Sequence, residues 1–367
     1  MAIVLFLLAW PAVLRGQGKS SDLFTVKIKK VTENVYVAYR PEPLRYFVEG
    51  NATIIINEQD VVVVDAGGAP LAARNTIVEI KKLTSKPVRY LVNTHDHVDH
   101  TLGNQEYVKA FPGLEIISHP QTRANLDRDG RAYVAETIRN FETRKERSEE
   151  LLKRLRAQAQ PGNDQVIAYW ERYANEDIYP RTEEYRQAVI TLPTVTFEEK
   201  LTLHRGARTI ELLFLGHGDT GGDVVVYLPQ EKAVCTGDMV TEPIPYGFSV
   251  KPLEWLATLG KLSELDFDYL VPGHGEVQPG KAYLQRVMSL LQTVQTQVRA
   301  AVAQGLDLEA TRRKVDLARF MEDFAQGDPV RRYRFQGWFI NPNVGETFKA
   351  IKEQSGMEPA PTGERSH

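Results

Sequence analysis

Three observations in the sequence predict an α/β fold. Runs of β-branched residues such as Ile54-Ile55-Ile56 and Val61-Val62-Val63-Val64 are continuous, as in strands covered on both faces. Segments with apolar residues three and four positions apart alternate with them. Several strands run directly into clusters of His, Asp and Gly, so those side chains are presented in loops at strand ends.

From the start of the chain, Ala2 to Leu14 are nearly all apolar, with Pro11 interrupting. The run is short for a membrane span of ~20 residues. It has the length of a signal-peptide core and is followed by small and polar residues around Gly16-Gln17-Gly18. The expectation is a signal peptide over residues 1–18 and a secreted or periplasmic protein. Phe24 to Ala38 reads as two short strands about a Thr32-Glu33-Asn34 turn. Ala52 to Ile56 and Val61 to Val64 read as a hairpin whose second strand ends at Asp65-Ala66-Gly67-Gly68. Leu71, Ile77, Ile80 and Leu83 predict a helix over 70–83, opened by a proline allowed in its first turn.

Val88 to Thr94 is a strand that empties into His95-Asp96-His97-Val98-Asp99-His100. Leu114 to Ser118 is another, ending at His119-Pro120. From about 121 to 191 the strand signals stop and Glu, Lys and Arg become dense. Glu149–Lys153 and Glu150–Arg154 stand at i,i+4, which predicts a helical insertion. Strands resume at Thr194 to Leu203, Arg208 to Leu215 and Val224 to Leu228. Two more end in Thr236-Gly237-Asp238 and in Pro272-Gly273-His274.

Leu284, Val287, Leu291, Val294, Val298 and Val302 then step by three and four, with Gly305 as a stop. They open a helical C-terminal extension over 281–355, followed by a loose tail over 356–367. Their apolar stripe must be covered by the core domain or by a second copy, as in a homo-oligomer through the C-terminal helices.

With 367 residues the chain can bury a large core. A formal net charge of −3 argues against a general nucleic-acid binder, and a small-molecule substrate is expected instead. One cysteine permits neither an intrachain disulfide nor a thiolate metal cluster.

The stretch 95–100 holds three imidazoles and two carboxylates. Imidazole nitrogen and carboxylate oxygen suit zinc and similar divalent metals. A core explanation fits poorly, because aspartate is almost never buried unpaired.

His-x-His-x-Asp-His after an apolar strand resembles the signature of the metallo-β-lactamase-fold hydrolases. The family's further motifs follow in order, so the resemblance covers about residues 24–280. It implies a four-layer αββα sandwich over 19–280 and two Zn2+ per chain as cofactor, though other divalent metals also suit such donors. It further implies a metal-bridging hydroxide that cleaves an ester-like bond: β-lactam, lactone or thioester.

One metal would be held by His95, His97 and either His217 or Asp219. The second would be held by Asp99, His100 and His274, with Asp238 shared. The family's third motif is usually Gly-His-Thr-x-Gly-Asp. Here a gap-free match to Thr220-Gly221-Gly222-Asp223 puts the ligand position on Asp219, with His217 two residues earlier. Asp99 and Asp238 are the catalytic candidates, with Asp99 or Asp96 steering or relaying the proton. Asp65 would orient the loop or a ligand imidazole. Asp96 and His119 are expected outside the ligand set, and Tyr246 either faces a developing oxyanion or packs. Two other readings use the same residues: a phosphodiester hydrolase, and a non-catalytic metal-stabilised binding protein.

Overall fold

A computed structural model describes residues 23–40, 45–158, 161–248 and 250–356. The expected signal peptide lies outside the described residues, as does the tail beyond residue 356.

The strands are β1 (Lys27–Thr32), β2 (Val35–Tyr39), β3 (Ala52–Ile56), β4 (Val61–Val64), β5 (Val88–Val92), β6 (Glu115–Ser118) and β7 (Val195–Thr196). They are followed by β8 (Lys200–Arg205), β9 (Arg208–Phe214), β10 (Val224–Leu228), β11 (Ala233–Cys235), β12 (Tyr269–Val271) and β13 (Gln278–Pro279). The first seven form one sheet in sequence order, and the other six form a second in the order 13-12-11-10-9-8.

Alternation along each strand makes the layers. Val62 and Val64 of β4 face the second sheet, meeting Leu212, Val226 and Val271, whereas Val61 and Val63 face outward. The outward face packs on the helix Pro70–Leu83 through Ile77 and Ile80, and on Asn104–Ala110 through Tyr107. The outer face of the second sheet packs through Leu270 and Val234 on the helices Pro252–Glu264 and Ala282–Ala303. The result is the αββα sandwich. Each fully buried Val, Leu or Ile favours it by about 1.5–3 kcal/mol over exposure.

The helix Pro70–Leu83 carries Pro70 in its first turn and Lys81 and Lys82 in its last, where cations suit the helix dipole. The C-terminal helix runs over Ala282–Ala303 and buries all six residues of the anticipated stripe. Phe324, Phe335, Phe339 and Ile351 of the extension lie in the same core, so the stripe is covered within the chain. Between β6 and β7 the described residues from Pro120 to Gln187 are almost wholly helical, including π-helical turns at Leu126–Gly130 and Tyr173–Asp177. Among the described residues no helix is long and apolar enough to cross a membrane.

Parallel pairing decides where the loops meet. β4 pairs β5 with Val64 opposite Val92, and β11 pairs β12 with Cys235 opposite Val271. The loops after these strands therefore leave side by side. The two sheets are tied at this rim by Val224 N–H donating to Thr94 O (2.8 Å) and Asn51 N–H donating to Gly273 O (2.7 Å).

Candidate metal centre

The loops after β5, β9, β11 and β12 bring two donor groups together. The first is His95, His97, Asp219 and Asp238; the second is Asp99, His100, Asp238 and His274. One donor atom from each member of a group lies within 4.8 Å of the others, and Asp238 belongs to both.

In the first group Asp219 Oδ2 is 3.2 Å from His97 Nδ1 and 3.7 Å from His95 Nε2, and Asp238 Oδ2 is 3.9 Å from His95 Nε2. In the second, His100 Nε2 is 3.1 Å from Asp238 Oδ1, and His274 Nε2 is 3.2 Å from Asp99 Oδ2 and 3.3 Å from Asp238 Oδ2. Ligands ~2.0–2.1 Å from a tetrahedral ion stand about 3.3 Å apart, so these spacings fit such an ion.

The surrounding hydrogen bonds set the imidazole tautomers. Asp65 ends β4 in the left-handed region (φ 63°). It accepts from Thr94 N–H (2.8 Å), from Thr94 Oγ (2.8 Å) and from His100 Nδ1 (2.9 Å). With its own proton committed to Asp65, Thr94 Oγ accepts from His95 Nδ1 at 2.9 Å. His274 Nδ1 donates to the Glu49 carbonyl at 3.0 Å.

Each neutral ring therefore turns an Nε2 lone pair inward, and those of His100 and His274 face each other at 3.2 Å. Two lone pairs at that distance repel unless a cation or proton lies between them. His95 Nε2, Asp219 Oδ2 and Asp238 Oδ1 are buried with no hydrogen-bond partner. Unsatisfied buried polar atoms on this scale are costly. The donor set and the orphaned atoms together fit divalent cations.

The electrostatics agree. Burial works against charge on His97 and His274, but the carboxylates, led by Asp219 and Asp238 respectively, outweigh it and raise both to about 9. His100 is raised well above its ordinary value, against burial, by Asp238, Asp65 and Asp99. Burial lowers His95, and any positive charge on His100 or His97 lowers it further. Asp238 is held well below the usual carboxylate range, against burial, by His274 and His100. The cluster demands positive charge.

Of the two alternatives at the third motif, the structure brings Asp219 into the cluster and leaves His217 outside it. Asp223 accepts from Gly218 N–H (3.1 Å), Thr220 N–H (2.9 Å) and Thr220 Oγ (3.1 Å), closing the loop so that Asp219 points inward. His217 is half exposed, its Nδ1 3.1 Å from Gly221 O and its Nε2 3.8 Å from Glu254. The gap-free match thus locates the inward residue. Asp96 accepts from Asn125 at 3.0 Å and His119 stacks on Phe214, and neither belongs to a donor group. Tyr246 is buried, its ring 5.4 Å from that of His274 and packed with Trp338.

Sequence reasoning did not find Thr94, Glu49, Asn51 or Arg181. Thr94 adjoins His95, and a hydroxyl next to a ligand imidazole was a usable signal. Glu49 acts through its backbone carbonyl and has none.

A family model described as Metallo-beta-lactamase superfamily matches residues 45–274. A linear primary-alkylsulfatase from Pseudomonas sp. (strain ATCC 19151) is 24% identical over 242 residues, 63% of this chain and 42% of that protein. The matched part is thus less than half of that relative's length. A metallo-beta-lactamase from Pontibacter korlensis is 20% identical with a TM-score of 0.49, covering 73% of this chain and 99% of that one. The DIM-1 metallo-beta-lactamase is 18% identical with a TM-score of 0.50, covering 73% and 97%, a likeness of fold. With a family match over more than half of its length, and with the sandwich that carries the matched motifs, this chain belongs to the metallo-β-lactamase superfamily.

Proposed function

We propose that the chain is a hydrolase that works with two zinc ions, one in each donor group. The supporting observation is the pair of Nε2 lone pairs of His100 and His274, aimed at one point beside the shared carboxylate of Asp238. Bound zinc would supply Lewis acidity and lower the pKa of a coordinated water from 15.7 toward ~7.

The chain's own residues then have separate tasks. His95, His97, Asp219 and Asp238 would hold one ion and Asp99, His100, His274 and the shared Asp238 the other, the carboxylates also offsetting their charge. We assign to Asp99, whose carboxylate is less buried than that of Asp219 or Asp238, the acceptance of a proton from water entering the site. A small-molecule substrate approaches from the side of His97 and Asp99, where the cluster is least covered. The bond cleaved is ester-like: β-lactam, lactone or thioester. A second reading is a sulfate ester, favoured by the alkylsulfatase relative. The apolar stretch from Ala2 to Leu14 supports export, so we place this activity outside the cytoplasm.

The test is elemental analysis of the purified chain, with turnover of a β-lactam, a lactone, a thioester, an alkyl sulfate and a phosphodiester before and after chelation. Two zinc ions per chain and chelator-sensitive turnover of an ester-like substrate or the alkyl sulfate are expected. One ion or none, with turnover unchanged by chelation, refutes the mechanism. Turnover of the phosphodiester alone refutes the choice of bond.

A further inference from the structure

Arg181 lies on the helix Ile178–Gln187 of the insertion, yet only 1% of it is exposed. Its Nη1 donates to Glu49 Oε2 at 2.7 Å and its Nη2 to Val48 O at 3.1 Å. The rings of Phe24, Phe47 and Tyr185 surround its guanidinium at 5.4–5.9 Å. The other oxygen of Glu49 accepts from Gly68 N–H. The fork thus holds the Glu49 carboxylate with one arm and the preceding carbonyl with the other, and the Gly68 N–H holds the second carboxylate oxygen.

The backbone that Glu49 anchors reaches the second donor group at every member except the shared Asp238. Glu49 O accepts from His274 Nδ1, which sets that ring's tautomer and aim. Gly50 N–H donates to Asp99 O at 3.1 Å. A Cβ on Gly50 would lie 2.6 Å from His100 Nδ1, so the backbone there backs directly onto that ring. Asn51 donates through Nδ2 to Pro272 O and Gly275 O, both at 2.9 Å, fixing the turn that carries His274. The private members of the first group are held differently. His95 rests on Thr94, and the Asp219 loop is closed by Asp223.

We propose that Arg181, acting through Glu49, is a positioning residue for the second metal group and not for the first, so that the helical insertion controls loading of one ion of the pair. This rests on the reading that both groups hold cations. Partners of this kind behind a ligand imidazole typically change metal affinity 10–100-fold.

The test is zinc binding by chelator competition on the full chain, with the two steps assigned by His97→Ala, which belongs to the first group alone. Arg181→Met would strand the buried Glu49 carboxylate, so Arg181→Met combined with Glu49→Gln is used as well, removing both charges of the pair, while Arg40, whose charge Glu49 also offsets, keeps Asp177 as a carboxylate neighbour. Expected is a loss of about 10–100-fold at the second group with less than about threefold at the first, and partial recovery in Arg181→Lys. Melting of the zinc-free variants supplies a readout of folding independent of activity. A wild-type chain that holds no second ion overturns both this inference and the two-ion reading. A wild-type chain that holds two, with variants that keep both affinities or lose both equally, overturns this inference alone.

Discussion

Replacing Asp219 with alanine removes one of the four donors of the first group, whereas His217→Ala removes none. Zinc held by four protein ligands is bound with about 10–16 kcal/mol, so one ligand is worth on the order of 3 kcal/mol, a hundredfold or more in affinity. At saturating zinc a hundredfold weaker site forfeits about 2.7 kcal/mol of linked stabilisation, seen as a fall of several degrees in the melting temperature of the loaded protein. The zinc-free protein loses the His97–Asp219 contact as well, so it is the difference in melting with and without zinc that isolates the lost metal ligand. His217→Ala loses one half-exposed contact to Gly221 O, worth at most ~1 kcal/mol, and should leave zinc affinity intact. Chelator competition and melting with and without zinc check both variants. Zinc binding like wild type in Asp219→Ala, or its loss in His217→Ala, would refute Asp219 as the ligand.

Three further outcomes follow from the geometry. Asp65→Asn keeps a side chain that tolerates the left-handed backbone, but an amide at Oδ2 leaves His100 Nδ1–H and Thr94 Oγ–H without an acceptor. A loss of about 1–3 kcal/mol per stranded donor is expected, with weaker zinc binding, measured by denaturant melts and competition; unchanged values would contradict it. A Cβ at Gly273 would meet Asp238 Oδ1 and lie 2.6 Å from the Gly237 carbonyl carbon, so Gly273→Ala should cost about 1–3 kcal/mol and reduce zinc at both groups. A Cβ at Gly260, inside the helix Pro252–Glu264, meets nothing within 4 Å, and Gly260→Ala should stabilise by about 0.5–1 kcal/mol in the same melts.

Burial pushes the Cys235 thiol up to about 12. Since only the thiolate reacts, alkylation of the native chain should rise about tenfold per pH unit toward 12, whereas an exposed thiol levels off near 8.5. Mass spectrometry of iodoacetamide-treated protein reads this, and complete labelling within minutes at pH 8 would contradict it.

The sequence by itself determined the sandwich and most of the donor set. Continuous short Val and Ile runs suit strands covered on both faces, and Leu284 to Val302 at spacings of three and four bury one stripe as a helix. His95, His97, Asp99 and His100 lie within six residues, so one local strand-to-loop transition is enough to display them. What the sequence left open at 217–219 was decided by the closure of the loop on Asp223, since hydrogen bonds between backbone and side chain choose which residue turns inward. The supports of the site were decided only by tertiary structure. Glu49 and Arg181 are 132 residues apart and act through a carbonyl and a buried ion pair, and no periodicity along the chain records which backbone oxygen will face which imidazole.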